Sequence, residues 1–406
     1  MWTTSFQPFL IHHLRVCIFL KCTLCRWDSS SGEIVAQSST SLRILYQKSQ
    51  LISGLIYVFG ISLKITRGNN SIAEKCQGVV FLLCMIVCLM ARWHWPRKGQ
   101  ISEPCQMLNA CFKFEKVLIA GYGSPPRPPS MLDKVMVAFL QLLETTAVLV
   151  PIVVIAIRLH NPCALPFLGS LSPFCSNSVW TPPPRPVHVL LLLTDFWFWL
   201  HLVYDGTIYV FYAFMTSIVV MLDYLEHFQK LVRDIRTDST TGNDLQRTLE
   251  RRVTQALHTY RCIRLIEKIL NHSMKGQLIP AMIGVVPQVQ VFTQFVCIKL
   301  YSKIPLPGFI IFPLLLIDAA ITNLVIETIA AKVNTNSVKM LSELNNELKS
   351  FSAKSKYRKE LRACTATRIQ FGQNFVDKGT PLVIENFCIN QTVSVLLLNA
   401  RNQRGK

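Results

Sequence analysis

Apolar residues in this chain come in long blocks rather than in alternating or three- and four-spaced stripes. Seven blocks are long enough for a helix to cross a bilayer, which takes about 20 mostly apolar residues. They lie at about 44–66, 76–95, 136–158, 187–222, 278–298, 309–331 and 381–400. The first, around LISGLIYVFGISLKIT, carries Lys48 and Lys64 near its ends. The second ends in Trp93, Trp95, Arg97 and Lys98, an aromatic and basic anchor suited to a membrane interface. The fourth runs on past what a bilayer needs, so it either tilts steeply or continues as a helix beyond the membrane. Outside the blocks, 245–272 and 338–351 (VKMLSELNNELKSF) change to helical spacing, the former with Leu249, Val253, Leu257, Tyr260, Ile263, Ile266 and Leu270. Such stripes must be covered, either as a cap on the same chain or, the reading favoured by the pattern, by packing between subunits. The pattern predicts an all-α membrane protein of seven transmembrane helices with cytoplasmic helical extensions. Residues 1–43 form a tail, 44–400 the membrane domain and 401–406 a second tail.

Composition agrees. Half of the 406 residues are hydrophobic and 16% are charged, with a mean hydropathy of +0.34, where soluble proteins carry about 25% charge. A net charge of +19 would ordinarily suggest nucleic acid. Here the basic residues sit between the apolar blocks, where they set topology. No zinc-binding spacing or aromatic-basic motif accompanies them, so nucleic acid is not an expected partner; the lipid bilayer is. The segments 96–134, 223–276 and 332–378 and the N-terminal tail are rich in Lys and Arg, and the alternate segments are poor. The N-terminus is therefore expected to be cytoplasmic and the C-terminus extracellular, the inverse of a G-protein-coupled receptor. The N-terminal stretch is broken by His12, His13, Arg15 and Lys21, a poor signal peptide, so the first span is expected to serve as targeting signal.

This topology gives the 14 cysteines and the glycosylation sequons a meaning. Cys163 and Cys175 face the oxidising side in the loop 160–186, so a disulfide between them is expected. The sequon at Asn69 also lies outside, close to the membrane. Asn271-His272-Ser273 lies on the cytoplasmic side and should stay unmodified.

Ionisable residues inside a membrane are costly and mark candidate functional positions. The fourth block holds Asp195, His201 and Asp205 among Trp197, Trp199, Tyr204 and Tyr209; Trp197, His201, Asp205 and Tyr209 recur every four residues and form one stripe. A ligand pocket built from these, with Glu144 of the third block, is one reading. The other is helix cross-linking with an aromatic belt at the interface. Gln288, Gln290, Gln294, Asn323, Glu327 and Asp318 mark further polar positions in the fifth and sixth blocks, for which helix–helix hydrogen bonding is the commoner explanation. No catalytic motif such as HExxH or GxSxG is present, and no metal or cofactor is expected.

Near the C-terminus the chain reads INQTVSVLLLNA, 389–400. Thr392-Val393, five residues 394–398, then Asn399-Ala400 resemble the signature that ends the last span of insect gustatory receptors: Thr-Tyr, five hydrophobic residues, Gln-Phe. The preceding FGQNFVDKGTPLVIENF, 371–387, is similar to the segment leading into that helix. The resemblance implies a tetrameric ligand-gated non-selective cation channel in the plasma membrane of sensory neuron dendrites, homomeric or built with related subunits. It would answer to a small-molecule tastant, with no G protein required. Its last helix would line a pore, here with Gln391, Thr392, Val395, Leu396 and Asn399. The related odorant receptors are the near alternative. A proton-coupled transporter using Asp195, His201, Asp205, Asp318 and Glu327 is the more distant one.

Overall fold

The computed structural model describes all residues except 1, 38–40, 69, 94–100, 123–130, 173, 177–178, 181–183, 238–244, 305, 307, 351–354 and 405–406. Asn69 of the glycosylation sequon, and Trp95, Arg97 and Lys98 of the interface anchor, lie outside the described residues.

The chain opens with helix α1 (Gln7–Phe19) and a hairpin of β1 (Cys25–Asp28) and β2 (Glu33–Ala36). The hairpin turn needs a left-handed residue, supplied by Gly32 at φ 64°. Residues 2–37 of the segment expected to be a tail are therefore folded. Phe6, Leu10, Leu14 and Cys17 lie on one wholly buried helical face, a stripe that the interspersed His12, His13 and Arg15 concealed in the sequence. The amide and hydroxyl of Thr3 donate to Glu115 Oε2 at 2.9 and 2.6 Å, pinning this segment to the following helices.

Next come α2 (Ser41–Arg67), α3 (Ile72–Ala91), α4 (Glu103–Tyr122) and α5 (Met131–His160), then a short turn α6 (Leu168–Leu171) and a two-residue pairing of β3 (Cys175–Ser176) with β4 (Val179–Trp180). Helix α4 is amphipathic, with Cys105, Leu108, Cys111, Phe112, Glu115 and Leu118 inward. Its period lay inside a segment read only for its charge. Cys163 and Cys175 are joined in a disulfide.

The centre of the molecule is one continuous rod, α7 (Arg185–Thr207), a π-helical stretch Ile208–Met215 and α8 (Thr216–Thr237). Residues Arg185–Ile235 make 51 helical positions, roughly 75 Å at about 1.5 Å per residue, against a hydrocarbon layer of about 30 Å. The fourth span thus continues beyond the bilayer. Helix α9 (Leu245–Met274) returns along it. The fifth span is α10 (Leu278–Phe295) with a π-helical end at Val296–Leu300. The sixth is α11 (Ile311–Ala320), a π-helical stretch Ile321–Ile326 and α12 (Glu327–Ser350), which also outruns the membrane. Helix α13 (Ser355–Arg362), the tiny strands β5 (Gln370–Phe371) and β6 (Asn374–Phe375), and the last span α14 (Thr380–Arg404) complete the chain. Seven helices among the described residues are long and apolar enough to cross a membrane.

Beyond the spans, α8, α9, α12 and α4 form a second helical layer at the basic end of the molecule. The stripe Val253, Leu257, Tyr260, Ile263, Ile266 and Leu270 is buried there against its own chain, with Phe228 and Tyr260 rings 5.1 Å apart. The sequence had favoured subunit packing for this stripe; the long α8 and α12 supply the cover instead. Asn271 is 5% exposed and fully engaged: it donates to Glu267 Oε1 and the Arg368 carbonyl, and accepts from the Gln370 amide. A glycan would find no access to it.

Asp377 prepares the start of α14. Its carboxylate accepts from the Thr380 hydroxyl at 2.8 Å and from the Thr380 and Gly379 amides at 2.9 and 3.0 Å. These bonds, that of the Thr380 hydroxyl foremost, hold its carboxyl below the usual carboxylate range. A depressed folded value stabilises above the unfolded pKa of about 3.9, and that contribution is lost as pH falls through the folded value. Asp377→Ala is expected to cost about 1 kcal/mol at neutral pH. The deficit should close as the protein is acidified, as followed by thermal unfolding of the detergent-purified chain.

Candidate functional site

A cavity of about 200 Å³ lies among α3, α5, the α7–α8 rod, α10 and α11. Its walls are nearly all apolar, including Phe81, Trp199, Phe211 and Met282. Two backbone features shape it. At Gly206 a Cβ would meet Cys88 at 3.2 Å, so α7 and α3 close together along one wall because this position lacks a side chain. The π-helical stretch begins two residues later and turns Val210, Phe211 and Met215 onto the lining. The lining hydroxyls of Thr207 and Thr322 donate to the carbonyls of Val203 and Asp318 at 2.7 and 2.9 Å, so their donors are used within their own helices. Asp318 also lines the cavity, and its carboxylate has no hydrogen-bond or ion-pair partner among the described residues. The site can therefore take a small, mostly apolar molecule and offer it one strong acceptor.

Of the seven pocket residues read from sequence, Trp199 lines this cavity. The other six are held by partners elsewhere, because groups in hydrocarbon must find partners within the protein. Asp195 and Arg158 form an ion pair at 2.5 Å, both side chains wholly buried. Tyr57 donates to Asp195 at 2.9 Å, the Leu168 amide at 3.3 Å, and Arg158 also reaches the Leu191 carbonyl at 2.8 Å. Asp205 pairs with Arg92 at 2.5 Å, which in turn donates to Gln50 at 3.0 Å. Glu144 accepts from the Tyr212 hydroxyl at 2.6 Å and contacts His13 Nδ1 at 2.6 Å, while Tyr204 stacks on the His13 ring. Trp197 donates to the Tyr46 hydroxyl at 3.0 Å, and the two ring nitrogens of His201 each lie 2.7 Å from a carbonyl, of Trp197 and of Leu20. The four-residue stripe was real, but Trp197, His201 and Asp205 on it meet α2, the N-terminal segment and Arg92 at the end of α3. Arg158, Arg92, Tyr57 and His13 were the missing partners; each lay in another block or in the supposed tail.

The last helix also differs from its sequence reading. Thr392 and Asn399 are 6% and 8% exposed, and Thr392 donates to Gln294 at 2.7 Å. Val395 and Leu396 are half-buried beside them, and Gln391 is exposed. The Thr392–Asn399 face thus packs on α10 and not on an outside axis. The outward face instead carries Asn386, Asn390 and Ser394 at four-residue steps, between Val383 and Leu397. The outward stripe was legible as polar residues at i, i+4 and i+8.

Removing one partner of a wholly buried pair leaves an uncompensated charge and costs about 3–5 kcal/mol. Arg158→Met and Asp195→Asn are each expected to lower the melting temperature and surface expression sharply. Combining them should cost less than the sum, as checked by a double-mutant cycle on detergent-purified protein.

No family model and no curated protein matches the sequence. Solved structures do. The insect olfactory receptor OR5 from Machilis hrabei, in complex with eugenol, superposes with a TM-score of 0.61 at 9% identity, covering 97% of this chain and 100% of that one. A second structure of that receptor gives 0.51 at 12% identity, covering 96% and 99%. Over nearly its whole length this chain has the fold of an insect olfactory receptor.

Proposed function

We propose that the chain is a subunit of a ligand-gated cation channel of the insect chemoreceptor kind, working at the plasma membrane as a homo- or hetero-tetramer. The observation that carries this reading is the outward face of α14. Within the helix Asn390 Nδ2 donates to Asn386 Oδ1 at 3.2 Å and the Ser394 hydroxyl donates to the Asn390 carbonyl at 2.8 Å. The amide groups these bonds leave over would still be costly against lipid, so this face calls for water or a neighbouring subunit. Four such faces about an axis would give a polar pore. The excess of Lys and Arg at the α9 end supports placing that end, with the N-terminus, in the cytoplasm.

The cavity and the last helix share α10. Met282, Val286 and Val289 of α10 line the cavity, while on another face Gln294 accepts from Thr392 and the Pro287 carbonyl accepts from the Cys388 thiol. A ligand that repositions α10 acts on α14 one helix away. The ligand would be a small molecule with an apolar body and a donor or ammonium group for Asp318. The register Thr392 to Asn399 favours a gustatory subunit for tastants. The apolar cavity favours the second reading, an odorant-receptor-like subunit. The transporter reading loses Asp195, His201 and Asp205 to interhelical bonds.

Patch-clamp of cells expressing the chain, alone and with related subunits, against sugars, bitter compounds and volatiles, tests the reading and separates its two branches. Val203→Trp, which fills the cavity, should abolish evoked current while the protein still reaches the surface. Asp318→Asn should weaken responses to amine or hydroxyl ligands by about 10- to 100-fold, the worth of a hydrogen bond to a charged group. Saturable uptake without current would overturn the channel reading. In a cysteine scan, a water-borne thiol reagent should modify Asn390→Cys and alter current, and should spare Thr392→Cys. The reverse pattern would place the pore on the other face.

A further inference from the structure

Where α10, α12 and α14 meet, a chain of amides leaves three acceptors over. Asn323 Nδ2 donates to Gln290 Oε1 at 2.7 Å, and Gln290 Nε2 donates to Glu385 Oε2 at 3.0 Å. This fixes both amide orientations. Asn323 Oδ1, Glu385 Oε1 and Glu327 Oε2 are then buried atoms without a hydrogen-bond partner. Asn323 is wholly buried and Glu327 is 7% exposed. Glu327 lies one turn from Asn323, which Gln290 joins to Glu385, and neither glutamate has an ion-pair partner among the described residues. Three oxygens thus stay bare in one place, each the kind of atom that ligates a hard cation. Two unpaired carboxylates inside a membrane are costly.

We propose that Glu327, Glu385 and Asn323 bind a divalent cation, Ca²⁺. Two carboxylates balance its charge, and the amide oxygen adds a neutral ligand of the kind Ca²⁺ accepts. Ca²⁺ tolerates irregular coordination completed by water, whereas Mg²⁺ demands a near-octahedral shell. Half-buried Glu385, six positions into α14, gives the ion an access route and room for its waters. Asn323 and Glu327 sit one turn apart where the sixth span leaves its π-helical stretch, so the ion would tie that span to α14. Gln290, already bonded to both sides, positions the ligands. Binding itself does not rest on the channel reading; an effect on current would.

The test is equilibrium binding of radioactive calcium to the purified full chain in lipid nanodiscs at neutral pH, with melting temperature read in parallel. One site per chain is expected, displaced poorly by Mg²⁺ and Na⁺. Glu327→Gln and Glu385→Gln should each weaken binding at least 10-fold and remove the Ca²⁺-induced rise in melting temperature. Glu360→Gln, on an exposed pair with Arg261, should keep both, showing that loss does not follow from any missing carboxylate. Absence of binding by the wild type at millimolar Ca²⁺, or binding unchanged in both variants, would overturn the proposal. So would a Glu327→Gln variant more stable than a calcium-insensitive wild type, since the pair would then share a proton instead.

Discussion

Hydrocarbon supplies no hydrogen-bond partner, and that constraint organises this molecule more than any single contact. A polar side chain in a span must be paired within the chain, turned to water or another subunit, or left waiting for a ligand. The fourth span meets the constraint by pairing. Asp195 takes Arg158 and Tyr57, Asp205 takes Arg92, and His201 takes two carbonyls. These bonds cross from α7 to α2, α3, α5 and the N-terminal segment, so the rod at the centre of the bundle is also its hub of polar cross-links. Because each such bond is made in a medium of low dielectric, it fixes helix register as well as adding stability.

What is turned outward or keeps an unused oxygen is correspondingly informative. Asp318 stands on an otherwise apolar cavity, the Asn386, Asn390 and Ser394 stripe faces outward, and Asn323, Glu327 and Glu385 keep bare oxygens. Three leftover sets lie on or next to α10, α11–α12 and α14, the spans that follow the rod. The first half of the chain thus builds a frame cross-linked by buried ion pairs, and the second half carries Asp318, Glu327 and Glu385, carboxylates with no ion-pair partner among the described residues. Two interruptions of regular helix lie beside these groups. π-Helical stretches occur at Ile208–Met215 against the cavity and at Ile321–Ile326 beside the leftover acceptors, as such turns often do at functional positions.

The existence and place of the seven spans needed only block length and hydropathy, properties carried by consecutive residues. The continuation of the fourth span beyond the bilayer and the helix at 245–272 were legible for the same reason. Partner choice was not. Glu144 reads alike whether it faces a ligand or His13, 131 positions away, and only the folded chain brings that histidine to it. The last helix makes the same point. Its polar residues were plain in the sequence, but a helix shows two faces, and packing on α10 chose Thr392 and Asn399 for the inside and Asn390 for the outside. Sequence by itself determined how many times this chain can cross a membrane and which residues there are polar. Tertiary structure decided which of them are satisfied, because in a medium without water a polar group is defined by its nearest partner, and that partner lies far away along the chain.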